Sequence, residues 1–121
     1  MATEADLRRI ALALPGTTEE LWYGTPGYKV AGRGFLRVRS EAEGGWVVPV
    51  ADLGEKHALL EGDPRAFFTT PHYDGYPCVL VRLPEVRVDE LAELVTESWR
   101  LKAPARLRRT FDSGPQQSSS L

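Results

Sequence analysis

Leu7, Ile10, Ala11 and Leu14 recur at helical spacing behind a capping-box pair, Thr3 and Asp6, and Pro15-Gly16 closes the stretch. An amphipathic first helix is predicted there. Thr17 to Pro26 is rich in turn formers and reads as a loop anchored by Trp22 and Tyr23. Tyr28–Ala31 and Phe35–Arg39 then alternate around Gly32-Arg33-Gly34, a hairpin pattern. A three-residue loop would pair Ala31 with Phe35, Val30 with Leu36 and Lys29 with Arg37. That register puts Tyr28, Val30, Leu36 and Val38 on an apolar underside, with Lys29, Arg37 and Arg39 on a basic upper face and Arg33 at the tip. A two-residue loop would mix the faces.

Trp46–Val50 reads as a third strand, at an edge or strand end because Pro49 cannot donate to a ladder. Asp52 and Glu55 resemble a second capping pair, opening a helix through Leu60 that Gly62 ends. Asp63-Pro64 begins a turn, and Phe67 and Phe68 follow as core. Cys78–Leu83, bounded by Pro77 and Pro84, reads as a buried strand with its partner within Phe68–Tyr73. Val88–Lys102 is a long helix with Leu91, Leu94, Val95, Ser98 and Trp99 on one face. Pro104 ends it and starts a short helix through Arg109. The predicted fold class is α+β: a two-layer sandwich with an antiparallel sheet of about five strands, helices on one face, and the order α-β-β-β-α-β-β-α. One domain is expected over residues 1–110. Residues 111–121, rich in Gln and Ser, are expected to form a disordered tail.

Composition agrees with a globular domain: 121 residues, 42% hydrophobic and 26% charged. No apolar run approaches the ~18–20 residues of a membrane helix, and Met1–Leu14 is charged and periodic, unlike a signal peptide. A soluble, cytoplasmic protein is expected, and the single cysteine, Cys78, fits a reducing compartment. Fifteen basic against seventeen acidic residues give a net charge of −2, so no bulk attraction draws the chain to nucleic acid or membrane. The basic residues are clustered, however. Lys29, Arg33, Arg37 and Arg39 form one segment and Arg100, Lys102, Arg106, Arg108 and Arg109 another, neither containing a carboxylate. A fold that joined them would build a phosphate-binding patch.

Candidate catalytic chemistry is sparse. One Cys and two separated His, His57 and His72, cannot supply the roughly four ligands of a structural zinc site, and neither metal nor cofactor is expected. Gly32-Arg33-Gly34 lacks the third glycine and the following helix of a dinucleotide fingerprint. His72, Asp74 and Cys78 lie within seven positions, but Cys78 opens an apolar strand, where a thiol acts as a small hydrophobe. Thr69–Pro77 is therefore expected to be a structural turn, with His72 and Asp74 supporting it by hydrogen bonds and Tyr73 and Tyr76 covering the core. Glu93 and Glu97 share a helix face that reads as solvated.

Three stretches together resemble the MmcQ/YjbR family of small bacterial proteins. They are Arg9–Gly16 leading to Tyr23-Gly-Thr-Pro26, Phe67–Pro77 with Val79–Leu83, and Glu93–Pro104. The resemblance spans about residues 5–108. It implies a two-layer fold like that of secretion chaperones and a label of DNA-binding protein, which rests on fold similarity to a double-winged DNA-binding domain. It implies no catalytic residue. Pro49 stands near where relatives often carry a lysine.

The leading expectation is a non-enzymatic DNA-binding domain in which Lys29, Arg33, Arg37 and Arg39 contact phosphates, joined by Arg82, Arg106, Arg108 and Arg109. The alternative is a protein- or small-ligand-binding module, suggested by net acidity and by Trp22, Tyr23, Tyr28, Tyr73 and Tyr76 near loops. In either case no membrane partner is expected, and the chain is expected to be a monomer or weak dimer.

Overall fold

The computed structural model describes residues 1–22, 25–38 and 45–119. In these, helix α1 (Glu4–Leu12) precedes four strands, β1 (Thr17–Trp22), β2 (Thr25–Val30), β3 (Arg33–Val38) and β4 (Trp46–Pro49). Helix α2 (Leu53–Gly62), strands β5 (Phe67–Phe68) and β6 (Cys78–Val81), a 3₁₀ turn at Leu83–Glu85, and helices α3 (Val88–Lys102) and α4 (Ala105–Ser119) follow. The strands form one antiparallel sheet in the order β1-β2-β3-β4-β6-β5. The α+β class and the antiparallel layer agree with the sequence pattern.

Both N-caps form, and the reciprocal pair is complete at Thr3–Asp6. Thr3 Oγ1 accepts from the Asp6 amide at 3.2 Å while the Asp6 carboxylate accepts from the Thr3 amide, and Asp52 accepts from the Glu55 amide at 2.8 Å. Each satisfies donors that the first helical turn leaves open. α1 and α3 bury their apolar stripes on one face of the sheet. Leu7, Ile10 and Leu14 meet Leu91, Val95 and Trp99 above Val30, Leu36, Val48, Val79 and Val81. The opposite face carries a smaller cluster of Val47, Tyr73, Cys78 and Leu80, flanked by Phe68. Strand alternation divides the two, since Trp46 and Val48 face the helices while Val47, between them, faces away.

Three expectations need correction. The segment predicted as a loop holds β1, which pairs with all of β2, so the sheet has six strands among the described residues. Thr-Thr-Glu-Glu-Leu-Trp shows no apolar alternation because β1 is an edge strand, exposed at Thr18, Glu19, Glu20 and Leu21. Charge on an edge discourages further strand pairing.

The hairpin turn has two residues and not three. Val30 pairs with Arg33, and Ala31 (φ 51°) and Gly32 (φ 82°) both take the left-handed backbone of a type I′ turn. The faces nevertheless stay unmixed, because the pairing shifts between Tyr28 and Lys29. The pairs Lys29–Gly34 and Tyr28–Leu36 leave Phe35 as an extra residue. This bulge lets Phe35 and Leu36 both enter the core while Lys29 and Arg37 keep the outer face.

Finally, α4 crosses the expected border at residue 110. Leu107 and Phe111, one turn apart, pack on the main core, with the Phe111 ring centroid 5.2 Å from that of Trp99. Leu107 also lies close over Gly16 (φ 71°), where a Cβ would come within 2.6 Å of Leu107 Cδ1.

Candidate functional site

The structure separates the basic residues that the sequence offers as one patch. Lys29 and Arg37 stand on the outer sheet face, half-buried, with Lys29 Nζ 3.5 Å from a Glu20 carboxylate oxygen and Arg37 opposite Val47. Arg33 is exposed at the hairpin, on the side of its pair partner Val30. Arg39 lies outside the described residues. Arg82 is committed to packing: its guanidinium carbon sits 4.0 Å above the Phe68 ring centroid and its Nη1 donates to the Arg65 carbonyl at 3.1 Å. Those contacts tie β6 to the α2–β5 connection.

The second basic segment lies in the helical layer. Arg108 Nη1 donates to the carbonyls of Arg100 (3.3 Å) and Ala103 (3.2 Å), closing the C-terminal turn of α3. Arg100 holds Asp112 through two bonds, the shorter 2.6 Å, which keeps the Asp112 carboxyl below its ordinary pKa. Arg106 and Arg109 are exposed on α4. The sheet stands between this segment and Lys29 and Arg37, so the two do not join.

The Thr69–Pro77 turn is held by a residue the sequence reading missed. Lys56 is 2% exposed, and its Nζ donates to the carbonyls of Tyr73 (2.6 Å) and Tyr76 (2.9 Å). Asp74 supports the turn as expected, accepting from Thr69 Oγ1 at 3.1 Å. His72 does not act by hydrogen bonding. It is exposed and meets Tyr73 edge-on at 4.8 Å. Tyr73 covers the outer cluster, whereas Tyr76 is 61% exposed and lends only its backbone. No apolar stripe on α2 marks Lys56 as the buried position, so its role was not legible before the turn was seen folded over it.

Cys78 is buried beneath this turn, and burial pushes its thiol pKa up, opposed by the smaller influence of Lys56. A raised value in the folded state favours the neutral thiol. The stabilisation it brings is present below the unfolded pKa of about 8.5 and is lost as pH rises through the folded value. At pH 8, iodoacetamide should alkylate Cys78 at least roughly tenfold more slowly in the folded protein than in denaturant, and His72→Ala should leave the rate unchanged. A folded-state rate above the denatured one would mark an activated thiol. Among the described residues no group of three His, Cys, Asp or Glu could hold a metal ion, and no helix is long and apolar enough to cross a membrane.

A concavity lies elsewhere, between α2 and α3. It holds about 420 Å³, with Val50, Leu59, Phe67 and Leu94 as its floor and Leu101, 43% exposed, at one end. Glu55 on α2 and Glu90, Glu93 and Glu97 on α3 form its rim, and no Lys or Arg lines it. A second hollow, sharing Leu59, Phe67 and Glu90, extends it past Asp63 and Glu85 to Arg87.

The rim is locally unfavourable. Glu93 and Glu97 are one turn apart on the same helix, an arrangement that costs a few tenths of a kcal/mol. Glu90 gains from the N-terminal end of the α3 dipole, but Glu97, two turns further on, does not. Its contact with Arg100 is long, 4.0 Å, and exposed. In the sequence this face read as solvated. The signal lay in Leu94 and Leu101, each one turn from a glutamate of the same stripe.

Comparison with known proteins places the chain. The YjbR family model matches residues 12–101, and the chain belongs to that family. It is 41% identical over 124 residues to the uncharacterized protein Rv2570 of Mycobacterium tuberculosis (strain H37Rv), covering 92% of this chain and 96% of that one. The uncharacterized protein Mb2600 of Mycobacterium bovis matches to the same extent. The crystal structure of Deinococcus radiodurans protein DR2400, a DUF419 domain, superposes with a TM-score of 0.70 at 23% identity over 84% of this chain and 78% of that chain. At that identity the likeness concerns the fold.

Proposed function

We propose that this YjbR-family domain is a non-enzymatic protein-binding module that takes a segment of a partner in the groove between α2 and α3. The observation that carries this reading is a concavity of about 420 Å³ with an apolar floor, open at Leu101. An apolar groove between elements, into which a partner lays an apolar face, is a recurring form of peptide-recognition site. The buried Cys78 and the exposed, unlinked His72 leave the one thiol without an activating base, which supports a role in binding.

DNA binding through the hairpin is the weaker reading. A phosphate-binding surface needs several basic side chains presented on one face. Here Glu20 accompanies Lys29, Arg82 is engaged by Phe68, and the α4 arginines lie across the sheet.

Selection from a displayed random-peptide library against the full chain tests the proposal, with Leu101→Lys as the counter-screen. That substitution sits at an exposed position in the last turn of α3, where a cation suits the helix dipole. Enriched peptides should bind Leu101→Lys at least about tenfold more weakly, about 1.4 kcal/mol. Peptides indifferent to Leu101→Lys would overturn the reading, as would no enrichment together with salt-sensitive duplex binding abolished by Arg33→Ala.

A further inference from the structure

Resting on the groove reading above, we propose that the segment it takes is a basic amphipathic α-helix of about three turns, supplied by a partner protein. Length, backbone chemistry and charge each point to this occupant. Glu90, Glu93, Leu94, Glu97 and Leu101 lie along one edge of the groove. At 1.5 Å per residue, Glu90 to Leu101 extends about 16 Å, close to three turns of a facing helix.

The walls of the groove are α2 and α3, whose backbone groups bond within their own helices, and on its floor Pro49 has no N–H while those of Val50 and Phe67 are already given to the Pro77 and Asp63 carbonyls. An extended peptide would bring unpaired N–H and C=O groups onto an apolar floor, at a desolvation cost for each. A helix arrives with its backbone already paired and needs only an apolar stripe at i, i+3, i+4 and i+7.

The charge then selects among helices. Glu55 stands on one wall and Glu90, Glu93 and Glu97 on the other, with no cation among the residues lining this hollow and Arg87 only in the one beside it. An acidic or neutral helix would leave these carboxylates facing each other across a narrowed groove. Lys or Arg flanking the partner's apolar stripe would relieve the repulsion between Glu93 and Glu97, and that relief appears only in the complex. The same charges oppose an anionic lipid surface or a nucleic acid at this face.

The test uses the full-length protein and three labelled peptides of equal length, about four turns, read by fluorescence anisotropy near 0.15 M salt. One carries Leu at i, i+3, i+4 and i+7 with Lys on the flanks, the second replaces Lys by Glu, and the third scrambles the first. The Leu/Lys helix should bind at least about tenfold more tightly than either control. The triple variant Glu90→Gln/Glu93→Gln/Glu97→Gln should lose at least about tenfold in affinity for it while keeping its helical signal and melting temperature, because Glu93 and Glu97 are exposed, Glu90 is half-buried at the groove, and the helix packs through other residues.

Equal binding of the Leu/Glu peptide or of the scramble would overturn the inference. If library peptides sensitive to Leu101→Lys prove neither basic nor helical, this inference fails while the binding-module reading stands. If no peptide responds to Leu101→Lys, both fail. A dimer in sedimentation that dissociates in Leu101→Lys would make a second copy the occupant and would also overturn the inference.

Discussion

Trp99→Ala should destabilise the domain by roughly 3–5 kcal/mol, the usual range for removing a buried tryptophan. Trp99 has no exposed surface, and its indole fills the junction of α1, α3, α4 and the helix-facing side of the sheet. Its Nε1 donates to the Pro15 carbonyl at 3.0 Å, 84 positions away in the sequence, and its ring meets Phe111. Truncation would therefore open a large cavity, leave a carbonyl without its donor, and remove the surface on which α4 packs. Since domains of this size are stable by roughly 5–15 kcal/mol, a loss of this size removes a large share of the total, and the urea midpoint should fall markedly. Trp99→Phe separates the contributions. It keeps most of the ring volume and should lose about 1–2 kcal/mol through the hydrogen bond and the residual void. A loss below about 1 kcal/mol for the alanine variant would contradict the packing described here.

Lys56→Met should cost roughly 2–4 kcal/mol, more than a substitution on a polar helix usually does. Methionine preserves the length and apolar stem of lysine but brings no donor, so the Tyr73 and Tyr76 carbonyls lose the atom that joins them. The Tyr73 bond is the shorter and the more buried, and without it each carbonyl keeps only its bond from within the turn, Tyr76 N–H to Tyr73 at 3.0 Å and Cys78 N–H to Tyr76 at 2.8 Å, with no Lys56 donor tying the turn to α2. Loosening of the turn should appear in a second measurement as faster alkylation of Cys78, because Tyr73 and Cys78 belong to the same outer cluster. A variant as stable as the parent, with Cys78 equally protected, would show that the turn holds itself.

The elements legible in the sequence were those whose apolar residues repeat with one period. α1 and α3 follow the helical period over several turns, and both N-caps form where Thr3 and Asp52 stand. β6 was legible as an apolar run between two prolines. β1 was not, because an exposed edge strand has no buried side to print an alternation on its residues.

The hairpin shows a subtler limit. Which residues face inward followed from alternation, but the turn length did not, since a bulge at Phe35 reconciles a two-residue turn with unmixed faces. Charge clustering along the chain misled for a related reason. Arg100 and Arg108 are spent on Asp112 and on the C-terminal carbonyls of α3, partners that adjacency in sequence does not reveal. The groove arises between α2 and α3, distant in sequence, and the Glu93–Glu97 side of α3 that forms its rim looks solvated when that helix is read alone.

Whether the α2–α3 groove or the basic hairpin is the working surface can be read directly from backbone amide chemical shifts of the isotopically labelled protein. Titration with the Leu/Lys helical peptide should move resonances of residues 55–62 and 90–101 and leave β2 and β3 unmoved. A DNA duplex near 0.15 M salt should leave all of them unmoved. Saturable shifts at Lys29, Arg33 and Arg37 with the duplex, and none along α2 and α3 with the peptide, would contradict the account.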